Sequence, residues 1–471
     1  MIKWTYLGGI FLAAILALAP AATMAAEGPV LTLPQLIPMA LNFSPQVKAS
    51  KSEVNFAEEQ KNEAHGYRYP QLDATAMGGV VPNARRPQVA LLPPRIVYPD
   101  PSNRLHGVNV FGRLDVLITQ PLYTFGKIAF REEAANRNIQ VKKAGVDLKR
   151  GEVIFQVSEA YYGLTLAEQG KDAVREARGY LNDTKSRIDR LIAIRSPNAR
   201  ETDRYRLAVY EGSVDKFGAQ AEEGSKVAYE ALKALVGYAP GENFRVPPEL
   251  PPPASAKSLD QYIRTALELR PEFTQLKEGL VARQLLVDAA KAERYPTFFA
   301  AVAAALAGAP GRDGSRDPYI YDFFNQAYAF PFVGAKWHLD FGITKAKINQ
   351  ARAELDQLKH TERTAIMGIP VEVAQAHGKV QENYKGSIGL EKAYINARRW
   401  LVTALSNFDM GIGKMEDIFN AFEKYGYSRG DYLTTLYEYS LAMAKLDKAT
   451  GAYRSSLPVE AVPVPVKKEK K

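Results

Sequence analysis

Long stretches of the chain repeat apolar residues every three or four positions among Ala, Glu, Lys and Arg, a pattern typical of amphipathic α-helices. In the first half this pattern predicts helices over 33–66, 126–193 and 203–236. A break follows the second of these at 195–198, which contains Pro197. At 1.5 Å per residue the longest helix spans about 100 Å, and two shorter helices placed end to end match it. The pattern therefore predicts an elongated, coiled-coil-like helical hairpin.

The second half predicts the same series, with helices over 259–293, 343–408 and 416–450. Pro370 lies within the second of these helices. We expect it to kink or break the helix, because proline removes one helical hydrogen bond and clashes with the preceding turn. Helices of this length do not fit the core of a compact domain, so the sequence predicts an elongated assembly.

The two halves also match residue by residue, which indicates an internal repeat. The segment 33–45 agrees with 259–271 at six of thirteen positions, 226 residues apart. Further matches follow in the same order along both halves: Arg68-Tyr69-Pro70 with Arg294-Tyr295-Pro296, Phe125-Gly126 with Phe341-Gly342, Asp203 with Asp417, and Gly237 with Gly451. We predict a tandem duplication over 27–245 and 258–455, separated by the Pro-rich linker 246–257.

Between the first and second helical stretches of each half the period changes from 3.6 to 2. In 108–119 the even positions are apolar, and the other face carries Arg113 and Asp115. In 333–340 the polar face carries Lys336 and His338. Alternation over about ten residues with a charged face is typical of a membrane-barrel strand whose polar side lines a lumen. A half-buried strand of a soluble sheet would show the same alternation.

Each half thus predicts one β-hairpin, at about 71–120 and about 297–341. Four strands per chain cannot close a membrane barrel, because at least eight strands are needed and every strand edge must be paired. A membrane-spanning structure therefore requires several chains, and three chains would supply twelve strands. The lumen-facing strand residues predicted here are Arg113, Asp115, Lys336 and His338.

Composition excludes several classes of protein. The 471 residues are 46% hydrophobic, which is enough for a packed fold. The absence of Cys excludes a disulfide framework, a Cys-ligated metal and a lipidated N-terminal cysteine. The net charge of +9 is too dilute to indicate a nucleic-acid-binding surface. The five His lack metal-binding spacing and no phosphate loop or nucleophile elbow occurs, so we expect no enzyme, cofactor or metal site.

Both ends of the chain differ in composition from its body. Residues 1–26 have the form of a secretory signal, with Lys3, an apolar run over 7–18 and small residues before position 27. An N-terminal membrane anchor is the alternative, but that run is short for a spanning helix. The segment 456–471 predicts a disordered basic tail. The Pro-rich segment 82–107 predicts either a surface loop or a cap over a channel mouth.

The order and duplication of these features resemble the TolC-like outer-membrane efflux and secretion channels, the outer membrane factors. The resemblance covers about 30–455. It rests on the entry helices that end before Pro45 and Pro271, the Tyr-Pro pairs at Tyr69 and Tyr295, the strand ends at Phe125-Gly126 and Phe341-Gly342, Glu159-Ala160-Tyr161-Tyr162, and the closing helix from Arg429 to Gly451.

The resemblance implies a mainly α fold with β. Tandem-duplicated, long antiparallel helical hairpins form a periplasmic α-barrel, and two β-hairpins per chain contribute to a trimeric, twelve-stranded transmembrane β-barrel. It implies a homotrimer in the outer membrane of a Gram-negative envelope, with a large periplasmic portion and contact with outer-membrane lipid. The implied function is passive export in a tripartite efflux pump or type I secretion system. The implied partners are a periplasmic adaptor (membrane fusion protein) and an inner-membrane transporter of RND or ABC type, and nucleic acid is not a partner.

In such channels the ends of the helical hairpins close the periplasmic tip, and acidic side chains ring the lumen. The resemblance places the constriction here at Asp417, Asn420, Gly411 and Gly413, with Asp203 as the first-half counterpart. Asp417 matches the first of two lumenal aspartates of the best-known member, and Asn420 stands in place of the second. Three copies of Asp417 would form one carboxylate ring, which favours cations. Alternatively, Asp417 and Asp203 begin helices, where negative charge is favourable.

One rival interpretation remains open at this point. A soluble periplasmic or surface coiled-coil scaffold explains the long helices and the secretory signal. It does not explain paired alternating strands at matching points of a duplication.

Overall fold

The structure is a computed structural model that describes residues 28–84, 107–239, 243–313 and 321–456. The predicted signal, most of the Pro-rich segment 82–107 and nearly all of the predicted tail lie outside the described residues. Within these ranges the chain forms long α-helices and one antiparallel sheet of four strands.

The helices of the two halves correspond in order and in length. In the first half they are α1 (Leu33–Phe43), α2 (Pro45–Gly66), α3 (Lys127–Ala193) and α4 (Glu201–Val236). In the second half they are α5 (Leu259–Leu269), α6 (Pro271–Ala292), α7 (Ile343–Asp409) and α8 (Met415–Thr450), followed by a short 3-10 turn (Ala452–Ser456). Corresponding helices have 11, 22, 67 and 36 residues in both halves.

The stretches predicted as single helices over 33–66 and 259–293 are each two helices. The division comes immediately before Pro45 and Pro271, because the residue before a proline is disfavoured in the helical region. Each proline then occupies the first helical position, where its missing N–H costs nothing.

Of the kink or break predicted at Pro370, the break is wrong, because α7 continues through the proline, and the kink stays a prediction. Ile369 and Val373 on either side are buried in a cluster with Ala442 and Leu446 of α8. This packing holds the two helices together along the turn in which the proline removes one backbone hydrogen bond.

Each long helix is the central helix of its half, against which the shorter helices pack. The helix α3 packs against both α2 and α4, and α7 packs against α6 and α8. Two shorter helices therefore lie along one long helix, as the length arithmetic predicted. The halves meet where α3 also packs against α6 and α8.

The two halves end their fourth helices with the same glycine turn. Gly237 after α4 and Gly451 after α8 have φ angles of 75° and 71°, in the left-handed region that favours glycine. A Cβ on Gly237 would lie 2.2 Å from a ring carbon of Phe43, at the end of α1. At Gly451 it would lie 2.9 Å from the backbone oxygen of Leu269, at the end of α5.

We expect Gly237→Ala to lower the free energy of unfolding by about 1–2 kcal/mol for the left-handed backbone alone, and by more where Phe43 must move. The apparent unfolding midpoint of the purified protein measures the effect. Gly179→Ala is the matched control, because Gly179 is exposed within α3 and a Cβ there meets nothing within 4 Å. The control should leave the midpoint unchanged or raise it. Equal losses in both variants would contradict the role of the turn.

The four strands form one sheet in the order β1 (Gln71–Pro82), β2 (Val108–Tyr123), β3 (Thr297–Gly308) and β4 (Gln326–Lys336), so that β1 and β4 are its outer strands. The strand predicted over 333–340 is too long, since β4 ends at Lys336. Lys336 pairs with Thr297, the first residue of β3, so later residues have no neighbouring strand in this chain. His338 therefore lies outside the strand on which it was predicted.

Candidate functional site

One face of the sheet is apolar and exposed. Directly paired residues of an antiparallel sheet share a face. Leu114 of β2 pairs with Ala76 of β1 and Leu306 of β3, and Val116 continues the same face. The apolar face contains Leu72, Ala74, Ala76, Val80, Val108, Val110, Leu114, Val116, Ile118, Phe298, Ala300, Val302, Ala304, Leu306, Ala327, Ala329, Pro331, Val333 and Ala335. Leu114 is 42% exposed and Val333 is 77% exposed, whereas the apolar face of a sheet in a soluble protein is buried against the core.

The opposite, polar face carries three of the four predicted lumen-facing residues. The Arg113 guanidinium donates to Asp115 Oδ2 over 2.7 Å, and Lys336 lies on the same face of β4. The face also holds Gln71, Asp73, Thr75, Asn109, Thr119, Thr297, Gln326 and Tyr328, and it includes the apolar side chains Met77, Val81, Phe111, Leu117, Phe299, Phe330 and Phe332. On β3 its residues are mainly alanine, of which Ala301, Ala305 and Ala307 are buried. The charged groups therefore share this face with aromatic rings, of which Phe332 packs edge-on against Phe299.

The described residues between β3 and β4, 309–313 and 321–325, fold over this polar face at the end away from the helices. Arg113, only 7% exposed, donates to the Phe323 carbonyl over 2.8 Å and stacks 4.1 Å from the Phe323 ring. Phe324 packs edge-on against Phe111 of β2 at 4.9 Å, and Arg312 lies over the Phe324 ring. Sequence reasoning missed the contacts of Phe323 with Arg113 and of Phe324 with Phe111 because the partners are about two hundred residues apart.

The predicted constriction residues lie at the far end of the long helices, which we call the tip. The Arg200 N–H donates to Asp203 Oδ2 over 2.9 Å, and the Lys414 N–H donates to Asp417 Oδ2 over 3.3 Å. Both aspartates thus stabilise a helix start, as the alternative interpretation proposed. Asp417 and Asn420 are exposed on the first turns of α8. A constriction role for them stays a prediction.

The turn before α8 requires its glycines. Gly411 has a φ angle of 82°, in the left-handed region. A Cβ on Gly413 would lie 2.8 Å from the Phe408 backbone nitrogen. The two glycines therefore permit the tight reversal between α7 and α8, which brings the start of α8 back beside the end of α7.

One buried cluster joins the helical hairpins of both halves at the tip. Its first-half members are Leu181, Ile188, Leu207 and Val214, and its second-half members are Ala397, Leu401, Ala404, Leu405, Phe408, Met415, Ile418, Phe419, Ala421, Phe422 and Tyr425. Tyr210 of α4 stacks on Phe419 of α8 with ring centroids 5.6 Å apart. The two hairpins therefore pack as one unit in this arrangement.

Charged side chains link the same two hairpins. Arg187 of α3 donates twice to Asp409 at the end of α7, over 2.8 and 2.9 Å. Glu176 of α3 lies 3.3 Å from Arg398 of α7 and 3.6 Å from Arg429 of α8. These pairs carry no signal in the sequence, because both partners lie among many charged residues on their helices.

The hydrogen bonds from Arg187 hold the pKa of the Asp409 carboxyl below the ordinary aspartate value of 3.8. A lowered carboxyl pKa contributes stability that is present above the ordinary value and is lost as the pH falls through the lowered one. The link between α3 and α7 is therefore fully formed at neutral and mildly acidic pH, and weakens only below 3.8.

None of the described helices contains an 18-residue window apolar enough to cross a membrane. No group of three or more His, Asp and Glu side chains in the described ranges is placed to hold a metal ion.

No protein-family model matches the chain, and no curated protein sequence matches it. Solved structures do match it. The outer membrane protein VceC from Vibrio cholerae superposes with a TM-score of 0.71 at 17% identity, covering 89% of this chain and 96% of that one. The CmeC outer membrane channel of Campylobacter jejuni gives 0.69 at 15% identity, covering 89% and 85%. The open state of the MtrE outer membrane channel of Neisseria gonorrhoeae gives 0.67 at 17% identity, covering 89% and 88%.

The chain therefore has the fold of solved outer-membrane channels over about nine tenths of its length. The fold class predicted from the TolC-like resemblance is confirmed: duplicated long helical hairpins, each carrying one β-hairpin.

Proposed function

We propose that this chain, with the fold of the outer-membrane channels, is the outer-membrane export duct of a Gram-negative envelope. In this proposal three copies close a twelve-stranded barrel in the outer membrane, and their long helices continue it as a tube through the periplasm. The duct conducts passively, without catalysis, and passes cargo received from a periplasmic adaptor and an inner-membrane transporter. A tripartite efflux pump and a type I secretion system are both consistent with this role.

The observation that carries the proposal is the exposure of the two sheet faces. Exposed apolar side chains occur on the apolar face of all four strands, whereas Arg113 on the opposite face is covered by the aromatic segment around Phe323. An apolar band outside and polar groups inside is what a membrane barrel requires and what a soluble sheet avoids. The rival scaffold interpretation offers no role for such a sheet.

We propose that the tip is the gate. The tip cluster and the Arg187–Asp409 pair hold the first-half hairpin against the second-half hairpin. Packed hairpins of this kind have discrete arrangements, so an adaptor that binds one arrangement better shifts the equilibrium toward it. In the closed arrangement three copies of Asp417 and Asn420 would approach the axis, with Gly411 and Gly413 shaping the turn and Asp203 on the neighbouring hairpin.

Asp417→Ala tests the constriction role. We expect weaker block by divalent cations and lower cation selectivity in planar bilayers, because a ring of three carboxylates would be removed. Asp203→Ala is the matched control, since Asp203 makes the same bond at the start of α4. Unchanged ion responses in Asp417→Ala would assign Asp417 to helix initiation alone.

The duct itself is tested by the mass and location of the full-length protein. Light scattering of the detergent-extracted protein should give a trimer, recovered from the outer-membrane fraction and active as a pore in planar bilayers. A monomer or dimer recovered from the soluble fraction would leave the strands unable to close, and the scaffold interpretation would replace the duct.

A further inference from the structure

The apolar face of the sheet carries a groove near the end that joins the helices, which we call the Ala300 groove. Its volume is about 470 Å³. On this face Ala300 of β3 lies between Gln120 of β2 and Val333 of β4, its paired neighbours. Alanine has only a methyl group, so the surface is lower there than at the larger side chains around it. The apolar side chains of this face that line the groove are Pro70, Ile118, Ala300, Val302, Pro331 and Val333.

Gln120 is the one polar side chain in the lining of the groove. Its amide nitrogen donates to the backbone carbonyls of Arg68 and Pro121, each over 2.8 Å. Both N–H donors are thus used within the protein, and the groove presents an apolar surface to an occupant. A hydrocarbon chain is the ligand that such a surface fits, because a polar group buried there would find no hydrogen-bond partner.

Aromatic rings lie at the helix-side end of the sheet, next to the groove. Phe125 stacks on Tyr295 with ring centroids 4.9 Å apart, and Tyr123 packs edge-on against Phe125 at 4.6 Å. Phe125 has a φ angle of 53°, in the left-handed region that bulky residues rarely adopt. Strained backbone of this kind persists where the surrounding structure holds it, and it is concentrated at functional sites. Tyr123 and Tyr295 are half-exposed, as rings at the boundary between hydrocarbon and lipid headgroups are.

Trp337 places a further half-exposed ring at the same end of the sheet. It comes two positions after Ala335, the last residue of β4 on the apolar face. The indole N–H donates to the Arg294 carbonyl over 3.0 Å. This bond fixes the indole beside Arg294, so the ring reports on whatever binds there.

Arg294 supplies a positive charge that the chain leaves unpaired. Its equivalent in the first half, Arg68, has a guanidinium nitrogen 2.6 Å from Glu132. The residue 216 positions after Glu132, at the spacing of the strand-end matches, is the buried Ile348. The adjacent carboxylate, Glu293, is paired with an arginine of α3. Among the residues that the structure describes, none accepts a hydrogen bond from the exposed Arg294 guanidinium.

We propose that the Ala300 groove and Arg294 together bind one phospholipid of the periplasm-facing leaflet, an inference that rests on the proposed outer-membrane location. One acyl chain lies along the groove, and the phosphate accepts hydrogen bonds from the guanidinium beside the Tyr295 and Trp337 rings. The lengths agree. Ala300 lies three residues beyond Thr297, where β3 begins, or about 10 Å along the strand. The hydrocarbon of one leaflet is about 15 Å thick, so a chain that starts at this headgroup passes the groove.

The occupant follows from charge and apolarity together. A hydrocarbon alone leaves the guanidinium unpaired, and a free phosphate leaves the groove empty. A molecule with an anionic head and an apolar chain satisfies both, and a membrane supplies it at the height of this site.

Tryptophan fluorescence tests the site, because Trp337 lies within it. The chain has three tryptophans, of which Trp4 belongs to the predicted signal. In a Trp400→Phe background Trp337 is then the reporter. The purified protein in detergent is titrated with phosphatidylglycerol that carries bromine near the glycerol end of one acyl chain, since bromine quenches indole fluorescence on contact. We expect quenching that saturates and that unbrominated phosphatidylglycerol reverses.

Arg294→Gln in this background tests the headgroup contact. We expect half-maximal quenching to require about tenfold more lipid, because a charge-assisted hydrogen bond to phosphate is lost. Arg68→Gln is the matched control, since its guanidinium is already paired with Glu132, and its midpoint should stay at the value before substitution. No shift in Arg294→Gln, or equal shifts in both variants, overturns the phosphate contact.

Ala300→Leu tests the groove, because a larger side chain fills it from the lipid side without disturbing a buried core. We expect about fivefold weaker binding, equal to the loss of one or two CH₂ contacts. Ala304→Leu is the matched control, since Ala304 lies on the same face of β3 between Val116 and Ala329, outside the groove. Equal effects of the two leucines overturn the groove as the place of the acyl chain.

A free anion and an unspecific lipid shell are the competing explanations. Inorganic phosphate that displaces the brominated lipid as effectively as unbrominated phosphatidylglycerol does would overturn a role for the acyl chain. Quenching that never saturates, equally in every variant, would reveal a lipid shell and overturn the site. Each variant is first weighed by light scattering. A trimer from the outer membrane that fails these titrations overturns the lipid site alone, whereas protein that is not a trimer overturns the proposed function.

Discussion

Leu114→Lys is expected to remove most of the trimer from the outer membrane, whereas Leu117→Lys is expected to leave it in place. Both leucines lie in the middle of β2, and they are 42% and 38% exposed. Leu114 lies on the apolar face between Ala76 and Leu306. A lysine facing lipid near the membrane midplane costs about 2–4 kcal/mol per strand, and a trimer would pay that penalty three times.

Leu117 is the matched control because only the face differs. It lies between Asp73 and Ala303 on the polar face, where a lysine gains a carboxylate neighbour. The amount of trimer in outer-membrane fractions measures both variants. Equal accumulation of the two variants, or loss of the Leu117 variant alone, would contradict the assignment of the apolar face to lipid.

Arg187→Ala is expected to shift the tip toward its open arrangement and to raise the mean conductance in planar bilayers. The pair with Asp409 is partly exposed, so each copy contributes about 0.5–1 kcal/mol after solvent screening. Three copies opening together contribute about 2 kcal/mol, which changes the ratio of open to closed channels about thirtyfold. In the wild type we expect the same link to weaken, and the conductance to rise, only as the pH falls below 3.8, because the pKa of Asp409 is lowered from that value.

Arg178→Ala controls for the general loss of a surface arginine. Arg178 pairs with Asp215 over 2.8 Å, but both residues belong to the first-half hairpin. Its loss should not affect the contact between hairpins, and the conductance should stay at the wild-type level. An Arg187 variant that opens no more often than the Arg178 variant would show that the tip cluster alone holds the gate closed.

The sequence predicted the local effect of some prolines correctly and that of one proline incorrectly. Pro197 marks the turn between α3 and α4 as predicted, and Pro45 and Pro271 end the helices before them. Pro370 has the same intrinsic preference but lies where α7 packs against α8, and there the helix continues. A local preference of a few kcal/mol decides the conformation only where packing does not oppose it.

The sequence likewise predicted some residues of the candidate site correctly and missed others. Arg113, Asp115 and Lys336 were assigned to one face by period-2 alternation, and the strand pairing places them together. His338 has the right alternation but lies beyond Lys336, because a strand needs a neighbour to pair with as well as a pattern. The Arg187–Asp409 pair gave no sequence signal, since each residue is one charge among many on a long helix.

The sequence by itself determined what depends on near neighbours along the chain: the helical and alternating segments, their duplication and the polar face of each strand. Periodicity and turn residues act over a few positions, so the local sequence is sufficient to predict these features. Only the tertiary structure decided the strand register, the segment folded over Arg113 and the charged links at the tip. The pairing of β2 with β3, the contact of Arg113 with Phe323 and the links at the tip join residues about two hundred positions apart, and their energies arise only when the two halves pack together.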